Sequence, residues 1–263
     1  MNVYATLHQT PLLRVSNQAL ISPLKTCQPQ KRKLILIWPQ TGDFDTMEYA
    51  WWIQRGQSRL AALDIEVRAV AIGDVAAGQK FCNYSGFPQQ HLFVDPEASL
   101  HHKLELYSGL SATLPGMTPQ QKGYLNLLLM CMGIGSPGTL REVFRGYTGD
   151  RTAPQLIADS ETIKAPPLPQ LKGEVFRRAG GKGFQRPFEL ATLRLRNMAE
   201  VLSNWKVYVP DAAYLAQRGA TFLFDADGKI LYEWRDHNIL GFAENMSNPL
   251  SFLETVFSKN GLS

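Results

Sequence analysis

Residues 33–38 read Lys-Leu-Ile-Leu-Ile-Trp, and residues 39–52 continue as Pro-Gln-Thr-Gly-Asp-Phe-Asp-Thr-Met-Glu-Tyr-Ala-Trp-Trp. A short apolar run of this kind predicts a buried β-strand. The polar residues that follow predict a loop leading into a helix, because Asp45 and Glu48 have the spacing of a capping box. We expect that aromatic-rich helix to extend to about Leu63. The stretch therefore predicts a strand–loop–helix unit, which is the beginning of an α/β fold.

The segments that follow continue the alternation of strands and helices. The next predicted strands and helices, in chain order, cover residues 66–72, 76–84, 91–94 and 98–107. This β-α-β-α-β-α order predicts a sheet with parallel pairs and with helices on its faces. Much later, residues 220–235 predict a hairpin around an Asp-Gly turn, and residues 250–257 predict a final amphipathic helix.

The remaining segments define the expected domain organisation. Residues 1–30 contain three prolines and are expected to be irregular. Residues 111–206 are expected to form a mostly helical insertion, with a clear helix at 188–205. We therefore predict one domain over residues 1–263, with a core made of residues 31–110 and 207–259.

Composition narrows the class of protein. The 263 residues are 44% hydrophobic and 19% charged, as is typical of a soluble globular protein. The net charge of +4 is too weak to indicate nucleic-acid binding, so no nucleic acid is expected. The longest apolar run, residues 125–132, is far shorter than the roughly 20 residues that cross a bilayer, so it predicts a buried helix and no transmembrane segment. Residues 1–30 contain no continuous apolar segment, so no signal peptide is expected.

The three cysteines are Cys27, Cys82 and Cys131. None lies in a C-x-x-C or other metal-ligand spacing, so neither a disulfide scaffold nor a metal site is expected. No cofactor motif is present either, and we expect no cofactor. This cysteine usage favours a reducing intracellular compartment, so a cytoplasmic location is expected. Cys131 lies in the apolar run and is expected to be in the core.

Three blocks of sequence, in their order and spacing, resemble one known family. They are residues 33–50; residues 95–110, with Asp-Pro-Glu and Leu-Tyr-Ser-Gly-Leu; and residues 218–231, which read Arg-Gly-Ala-Thr-Phe-Leu-Phe-Asp-Ala-Asp-Gly-Lys-Ile-Leu. The pattern resembles the peroxiredoxin-like branch of the thioredoxin superfamily, also called AhpC/TSA antioxidant proteins. The resemblance implies a thioredoxin-like mixed sheet with flanking helices and a long insertion. The chain is also similar to cyanobacterial and plastid-lineage members, which implies the cytoplasm or the plastid stroma.

In this branch the redox motif reads Gly-Cys-x-x-Cys-Arg-Glu at the strand-to-helix turn, where the helix dipole and free N–H groups lower a thiol pKa. With the motif anchored on Gly42 and Glu48, the two cysteine positions fall on Asp43 and Thr46. Met47 stands where the motif has arginine. The group that carries the family's peroxidase and disulfide chemistry is therefore absent from this turn.

A second alignment uses the Thr-x-x-Cys motif of typical peroxiredoxins. It places Thr41 opposite the threonine and Phe44 opposite the cysteine, so it supplies no thiol either. The resemblance also points to Arg235, because peroxiredoxins place an arginine near the active site from the same hairpin strand. Arg235 is thus a candidate ligand for an anion or a peroxide. The alternative is a structural ion pair with Glu233 or Asp236.

The polar side chains of the turn, Asp43, Asp45 and Thr46, allow two interpretations. The first is helix capping, in which an aspartate at the N-cap contributes about 1 kcal/mol. The second is an acidic pocket for acid–base chemistry or for a hard cation. A helix N-terminus lowers the pKa of a carboxyl group and makes it a poorer base at neutral pH, so capping is favoured.

Cys82 and the pair His101-His102 also allow both a structural and a functional interpretation. Cys82 is either a half-buried structural cysteine or a reactive thiol that replaces the missing one. It falls near the end of a predicted helix, where the dipole raises a thiol pKa, so the structural interpretation is favoured. Adjacent helical residues point about 100° apart, so the two histidines are expected on the surface rather than on one metal.

Residues 164–206 carry nine basic and three acidic residues, a net charge of +6. This segment is either a solvated face or a docking surface for an acidic protein partner or an anionic surface. The expected contact residues of the docking surface are Arg177, Arg178, Lys182 and Arg186. The resemblance also makes an oligomer possible.

Three functional hypotheses remain open. The first is a peroxiredoxin-like protein with a degenerate redox site and a binding, regulatory or accessory role. The second is an unconventional thiol oxidoreductase or antioxidant that uses Cys82. The third is a thiol-free enzyme or ligand binder that uses Asp43 and Arg235. The missing cysteines favour the first, and they leave open whether the chain is an enzyme.

Overall fold

The computed structural model describes residues 2–180 and 187–258, apart from the side chains of residues 179 and 180. The strands in these ranges are β1 (Leu12–Arg14), β2 (Leu20–Ile21), β3 (Arg32–Gln40), β4 (Ile65–Ile72), β5 (Leu92–Val94), β6 (Thr162–Ile163), β7 (Leu171–Lys172), β8 (Ala220–Phe224) and β9 (Ile230–Arg235). The helices are α1 (Val3–Gln9), α2 (Phe44–Arg55), α3 (Gln57–Ala62), α4 (Val75–Ser85), α5 (Ser99–Lys103), α6 (Pro119–Cys131), α7 (Pro137–Thr148), α8 (Glu174–Gly180), α9 (Pro187–Ser203), α10 (Trp205–Tyr208) and α11 (Phe252–Ser258).

Seven of these strands form one mixed sheet in the order β2-β1-β5-β4-β3-β8-β9. The pairs β3–β4 and β4–β5 are parallel, and helices α2 to α4 connect them as in β-α-β units. Strands β8 and β9 continue the sheet beyond β3 in antiparallel orientation, and they form the predicted hairpin. The predicted α/β fold with a mixed sheet and flanking helices is therefore confirmed.

Strand β3 lies inside the sheet, and this position explains its uninterrupted apolar sequence. Leu34, Leu36 and Trp38 enter the larger core, which α2, α4 and α9 cover. Ile35 and Ile37 enter a second core on the opposite face, with side chains from α1 and α5. A strand that is buried on both faces reads as a continuous apolar run rather than as an alternating one.

The expectation of an irregular N-terminal segment is wrong. Helix α1 begins after Asn2, whose side chain accepts a hydrogen bond from the N–H of Ala5. Its Val3 and Leu7 are buried in the second core. Strand β1 then pairs in antiparallel orientation with β5 and so extends the sheet. The prolines in this segment separate short elements instead of preventing them.

Two predicted helices have different bounds in the structure. The helix expected to extend to about Leu63 is divided at Gly56 into α2 and α3. A Cβ atom on Gly56 would lie 2.3 Å from Cδ1 of Leu250, so the close packing at this break requires glycine. The helix expected at residues 98–107 contains only the five residues of α5.

Helices α6, α7 and α9, from the predicted insertion, pack onto the rest of the chain. Helix α7 contacts α9, and α9 contacts α2. A Cβ atom on Gly123 would lie 1.9 Å from the carbonyl oxygen of Ala212, so the backbone of α6 lies directly against the 3-10 helix Ala212–Tyr214. The segment is therefore tied to the core through two helices.

The expectation of a buried helix at residues 125–132 is wrong for one side of α6. Met130 is fully buried, but 62% of the Leu128 surface is accessible. Cys131 is exposed and does not belong to the core. A helix that packs on one side only leaves the other side in water, even where both sides are apolar. Within the described residues, no helix combines the length and the apolar character needed to cross a membrane.

Candidate functional site

The candidate site lies at the turn between β3 and α2, residues 40–46, which we call the β3–α2 turn. Asp43 is the N-cap of α2, and its carboxylate accepts a hydrogen bond from the N–H of Asp45 at 2.8 Å. The predicted capping box of Asp45 and Glu48 is therefore wrong, although capping by an aspartate is confirmed. Asp43 is also the residue that aligns with the first cysteine of the redox motif when the motif is anchored on Gly42 and Glu48.

The segment around Tyr208 covers the β3–α2 turn. The hydroxyl of Thr41 donates to the carbonyl of Tyr208 at 3.1 Å, and the amide of Gln40 donates to the carbonyl of Asp211 at 2.6 Å. A Cβ atom on Gly42 would lie 2.8 Å from the Cβ of Tyr208. Thr41 and Thr46 are both fully buried. These contacts hold the turn against the segment around Tyr208.

Arg218 is the central residue of the site, and the sequence analysis missed it. Its side chain is completely buried. Nη2 donates to Asp43 at 2.7 Å, and Nη1 donates to Asp45 at 3.2 Å. Further N–H groups donate to the carbonyls of Leu215 and Ala216. The guanidinium thus joins both aspartates of the β3–α2 turn to the segment before β8.

Gly219 explains how Arg218 reaches the turn. A Cβ atom at this position would lie 2.1 Å from the carbonyl oxygen of Ile37, so β8 can approach β3 this closely only with glycine. The sequence signal was the Arg-Gly pair that opens the third family-like block. Arg218 directly precedes Gly219 and β8, and the start of β8 lies beside the end of β3, where the turn begins.

Three carboxyl groups surround this one guanidinium. Asp45 and Asp236 are buried and Asp43 is half-buried, and the Oδ1 atoms of Asp45 and Asp236 have no hydrogen-bond partner in the described part of the chain. Burial, and then the charge of Asp43, raises the pKa of Asp45 well above its usual value. Burial raises the pKa of Asp236 to about 7, against the opposing effect of Arg218. The cluster therefore holds protons that an exposed aspartate would lose.

The raised pKa of Asp236 predicts a pH dependence of stability. Below about pH 4 the carboxyl group is protonated in both the folded and the unfolded chain and has no effect. Between about pH 4 and pH 7 it ionises only in the unfolded chain, so folding stability falls as the pH rises and stays low above. We expect Asp236→Asn to be more stable than the wild type at pH 8, by on the order of 2–4 kcal/mol.

Urea denaturation at pH 5 and pH 8 measures this effect, with Asp227→Asn in the exposed hairpin turn as the matched control. The control should keep the pH dependence of the wild type. If Asp236→Asn keeps it as well, the carboxyl of Asp236 is ionised in the folded chain and the assignment is wrong.

Arg235 lies in β9, and its contacts are with Glu233, Leu104 and Phe222 rather than with the β3–α2 turn. Its Nε donates to Glu233 at 2.6 Å, and its Nη1 donates to the carbonyl of Leu104 at 2.6 Å. The guanidinium also lies over the ring of Phe222. This geometry matches the structural alternative, an ion pair with Glu233. Arg218 occupies the place beside the turn that the sequence analysis gave to Arg235.

The described cysteines do not supply a reactive thiol to the turn. Cys82 is buried with 4% of its surface accessible, and burial raises its pKa to about 12. Burial also raises the pKa of Cys27 to about 11. Cys131 is exposed at the end of α6, and its pKa is raised by partial burial and by the charge of Asp43. A raised pKa leaves little thiolate at neutral pH.

A second ionic cluster joins the predicted insertion to α2. Glu48, which is 1% accessible, accepts from Arg194 of α9 at 2.8 Å. Arg194 also donates to Glu142 of α7 at 2.6 Å, and Glu142 pairs with Arg145. The acidic groups raise the pKa of Arg194 in spite of its burial. The residue expected to complete a capping box is therefore part of an ionic cluster that links α2, α9 and α7.

Two of the four residues of the predicted docking surface are described, and both belong to α8. Arg177 pairs with Asp159 at 2.9 Å, and Arg178 is exposed on α8. Lys182 and Arg186 lie outside the described residues. No group of three or more His, Cys, Asp or Glu residues in the described ranges is placed to hold a metal ion.

The expectation that both histidines lie on the surface is wrong for His101. Its side chain is fully buried, with Nε2 2.8 Å from the carbonyl oxygen of Trp38. A carbonyl can only accept, so Nε2 carries a proton. Burial lowers the pKa of His101 to about 4, so the ring is neutral at pH 7. His101 thus ties α5 to the end of β3.

Comparison with known proteins identifies the family to which this chain belongs. The mixed sheet and its strand-to-helix turn define a thioredoxin-like protein, and residues 52–238 match the family described as AhpC/TSA antioxidant enzyme. The chain belongs to the AhpC/TSA antioxidant enzyme family, and the peroxiredoxin-like resemblance is confirmed. The match begins after the β3–α2 turn.

Two solved structures from Xanthomonas campestris also match. One is a cysteine-to-serine mutant of peroxiredoxin Q, with 9% identity over 98% of this chain and 92% of that one, at a TM-score of 0.43. The other is the bacterioferritin comigratory protein, with 9% identity over 97% and 94% and a TM-score of 0.44. No curated protein matches the sequence.

Proposed function

We propose that this chain is an AhpC/TSA family member whose redox site is degenerate, and that it acts as a binding or accessory protein rather than as a peroxidase. The observation that carries the proposal is the position of Asp43. Its carboxylate stands at the N-cap of α2, where the family has a thiol, and it is held at 2.7 Å by the buried Arg218.

The chemistry of the two groups supports this proposal. A thiolate attacks the O–O bond of a peroxide, becomes a sulfenic acid and releases water or an alcohol. A carboxylate has no sulfur that can take up the oxygen, so it cannot begin this cycle. The ion pair with Arg218 also occupies the guanidinium that would otherwise be available for an anionic ligand.

The alternative, a thiol oxidoreductase that uses Cys82, has less support. A thiol with a pKa of about 12 is almost entirely protonated at neutral pH. Cys82 also lies in the larger core, among side chains that cover β3 and β4, and it has 4% of its surface accessible. A peroxide would have to enter that core to react.

The proposal extends to partners and location. Residues 164–206 carry a net charge of +6, which supports an acidic protein or an anionic surface as the partner and argues against nucleic acid in the absence of a binding module. The absence of paired cysteine spacings supports the cytoplasm, or the stroma if the chain comes from a plastid lineage.

Peroxide consumption by the fully reduced protein, with a thiol count before and after, tests the proposal. We expect no turnover beyond the rate without protein, and all three cysteines of the chain still free afterwards. Turnover that disappears in Cys82→Ser would overturn the proposal and establish the thiol oxidoreductase instead.

The variant Asp43→Cys tests whether the β3–α2 turn can still activate a thiol, and Asp43→Ser is its match without a thiol at residue 43. The helix N-terminus and Arg218 should lower the pKa of a thiol at residue 43. We expect that thiol to be alkylated at pH 7 much faster than Cys82. Equal, slow alkylation of both would mean that the turn no longer activates a thiol.

A further inference from the structure

A groove opens between α7 and α9, beside the β3–α2 turn. Its volume is about 290 Å³, and it is bordered by Phe44, the residue that follows Asp43, and by Leu240. Almost all of its lining is apolar, and Arg194 is the only charged residue among the described residues that line it. A concave apolar surface with few polar groups is the usual form of a small-molecule site. The groove is therefore a candidate ligand site, separate from the ionic contacts of the turn.

The sequence keeps this groove open. Met198 and Tyr147 border it with 37% and 76% of their surface accessible. At Gly146, α7 has no side chain, and a Cβ atom there would lie 3.4 Å from both Nη1 of Arg194 and Cδ2 of Leu190, which is ordinary contact. Alanine would thus fit at this position and would favour the helix more than glycine does. Gly146 leaves space in the groove that a larger residue would fill.

Arg194 provides a hydrogen-bonding group in the groove. Its Nε donates to Glu48 at 2.8 Å, and its Nη2 donates to Glu142 at 2.6 Å. Nη1 has no acceptor within the described residues, although it lies at the groove beside Gly146. A guanidinium donates hydrogen bonds and cannot accept them. A ligand can therefore gain a hydrogen bond from Nη1 only if it offers an acceptor.

Charge limits the kind of acceptor. Arg194 and Arg145 face the carboxylates of Glu48 and Glu142, so this cluster has two cations for two anions. The β3–α2 turn beside the groove has three carboxyl groups around one guanidinium. An anionic ligand would add an unbalanced charge in partly buried surroundings, and an ammonium group offers no acceptor. A neutral ligand with a carbonyl oxygen avoids both difficulties.

Leu240 connects the groove to the β3–α2 turn. Its φ of 55° lies in the left-handed region, which is uncommon for residues other than glycine. Its N–H donates to Asp45 at 2.9 Å, while the residue also borders the groove. Backbone in such a region is concentrated at ligand sites and similar functional positions. The same residue thus contacts the turn and the groove.

The volume sets the size of the ligand. A cavity of about 150 Å³ binds benzene, so a groove about twice as large has room for roughly twelve non-hydrogen atoms. We propose that the groove binds a small neutral molecule with an apolar body of this size and a carbonyl oxygen that accepts from Nη1 of Arg194. The proposal gives a ligand class to the binding role proposed above. The two can fail separately, because peroxide consumption tests the turn and probe binding tests the groove.

Three probes with the same apolar body test this chemistry. They are benzylacetone, which is neutral, phenylbutyrate, which is anionic, and phenylbutylammonium, which is cationic. The measurement is NMR of isotope-labelled methionine methyl groups, since Met198 lines the groove and Met132 is exposed outside it. Met198→Leu assigns the first signal. We expect benzylacetone to shift the Met198 signal saturably and to leave Met132 unchanged, and the two charged probes to bind at least about tenfold more weakly.

Three results of this experiment would overturn the proposal. The first is no shift of Met198 with benzylacetone. The second is phenylbutyrate or phenylbutylammonium binding as tightly as benzylacetone. The third is an equal shift of Met132, which would indicate general contact with exposed apolar side chains.

Two variants that fill the groove locate the ligand. Gly146→Leu fills it from α7, and Ala191→Leu fills it from α9 at an exposed position that accepts a larger side chain. Each should weaken benzylacetone binding at least about tenfold, because the added side chain occupies the apolar space. Circular dichroism shows whether each variant is folded, and either one alone is sufficient.

Phe144→Leu is the matched control on α7, since Phe144 is exposed and does not line the groove. It should bind benzylacetone as the wild type does. If folded Gly146→Leu or Ala191→Leu binds like the wild type, or if Phe144→Leu loses as much affinity as they do, the ligand does not occupy the groove and the proposal is wrong.

Discussion

We expect Arg218→Met to lose about 3–5 kcal/mol of folding stability at neutral pH, because it removes the only cation paired with the half-buried Asp43 and the buried Asp45 in the described part of the chain. Methionine fills much of the volume but leaves these carboxyl groups without a cation. Small domains have about 5–15 kcal/mol in total, so this loss removes a large share of the folding stability. This is the largest effect that we predict for a single side chain.

The loss should depend on pH in a defined direction. Without Arg218, the buried carboxyl groups are tolerated mainly in their protonated form, which is favoured as the pH falls. Urea denaturation of the wild type and Arg218→Met at pH 5 and pH 8 should therefore show a smaller difference at pH 5.

Arg235→Met is the matched control, since Arg235 is partly exposed and pairs with a partly exposed glutamate. Surface pairs of this kind contribute up to about 1 kcal/mol. If both variants lose the same small amount, Arg218 is not the residue that neutralises the β3–α2 turn.

We expect Arg194→Met to cost about 2–4 kcal/mol, since it leaves Glu48 buried without its cation. The range is lower than for Arg218 because 20% of the Arg194 side chain is in contact with water, which weakens the pair. The variant also breaks the contact between α9 and α7 through Glu142. Faster amide hydrogen exchange should therefore extend along α7 and not along β3.

Arg196→Met serves as the control on the same helix. Arg196 lies over the ring of Tyr84 at 5.0 Å, a contact of about 0.5–1 kcal/mol. Denaturation and hydrogen exchange of both variants measure the difference. Unchanged exchange in α7 of Arg194→Met would mean that the ionic cluster does not hold the predicted insertion in place.

The order of strands and helices could be predicted because it depends on local patterns. The apolar run before the β3–α2 turn and the Asp-Gly turn of the hairpin are each decided by a few neighbouring residues. The bounds of α2 and α3 were not predicted, and the glycine at their break packs against Leu250, which is far away in the sequence. Local sequence carries no information on such an approach.

Some features of the candidate site could also be predicted from the sequence, and others could not. That the turn lacks a thiol, and that an aspartate caps its helix, follows from the sequence alone. The sequence alone does not show that Arg218 rather than Arg235 neutralises this aspartate, since both arginines belong to the same hairpin region. The choice depends on how closely β8 approaches β3 at Gly219, which is a property of the packed sheet.

The sequence by itself determined the family, the α/β order and the absence of a cysteine from the β3–α2 turn, because motifs and periodicity are local. The tertiary structure alone decided the partners of the buried charges, which join Asp43 to Arg218 and Glu48 to Arg194 across 175 and 146 residues. It also decided that one side of α6 lies in water. An ion pair or an exposed face depends on which surfaces meet, and only the packed chain defines these.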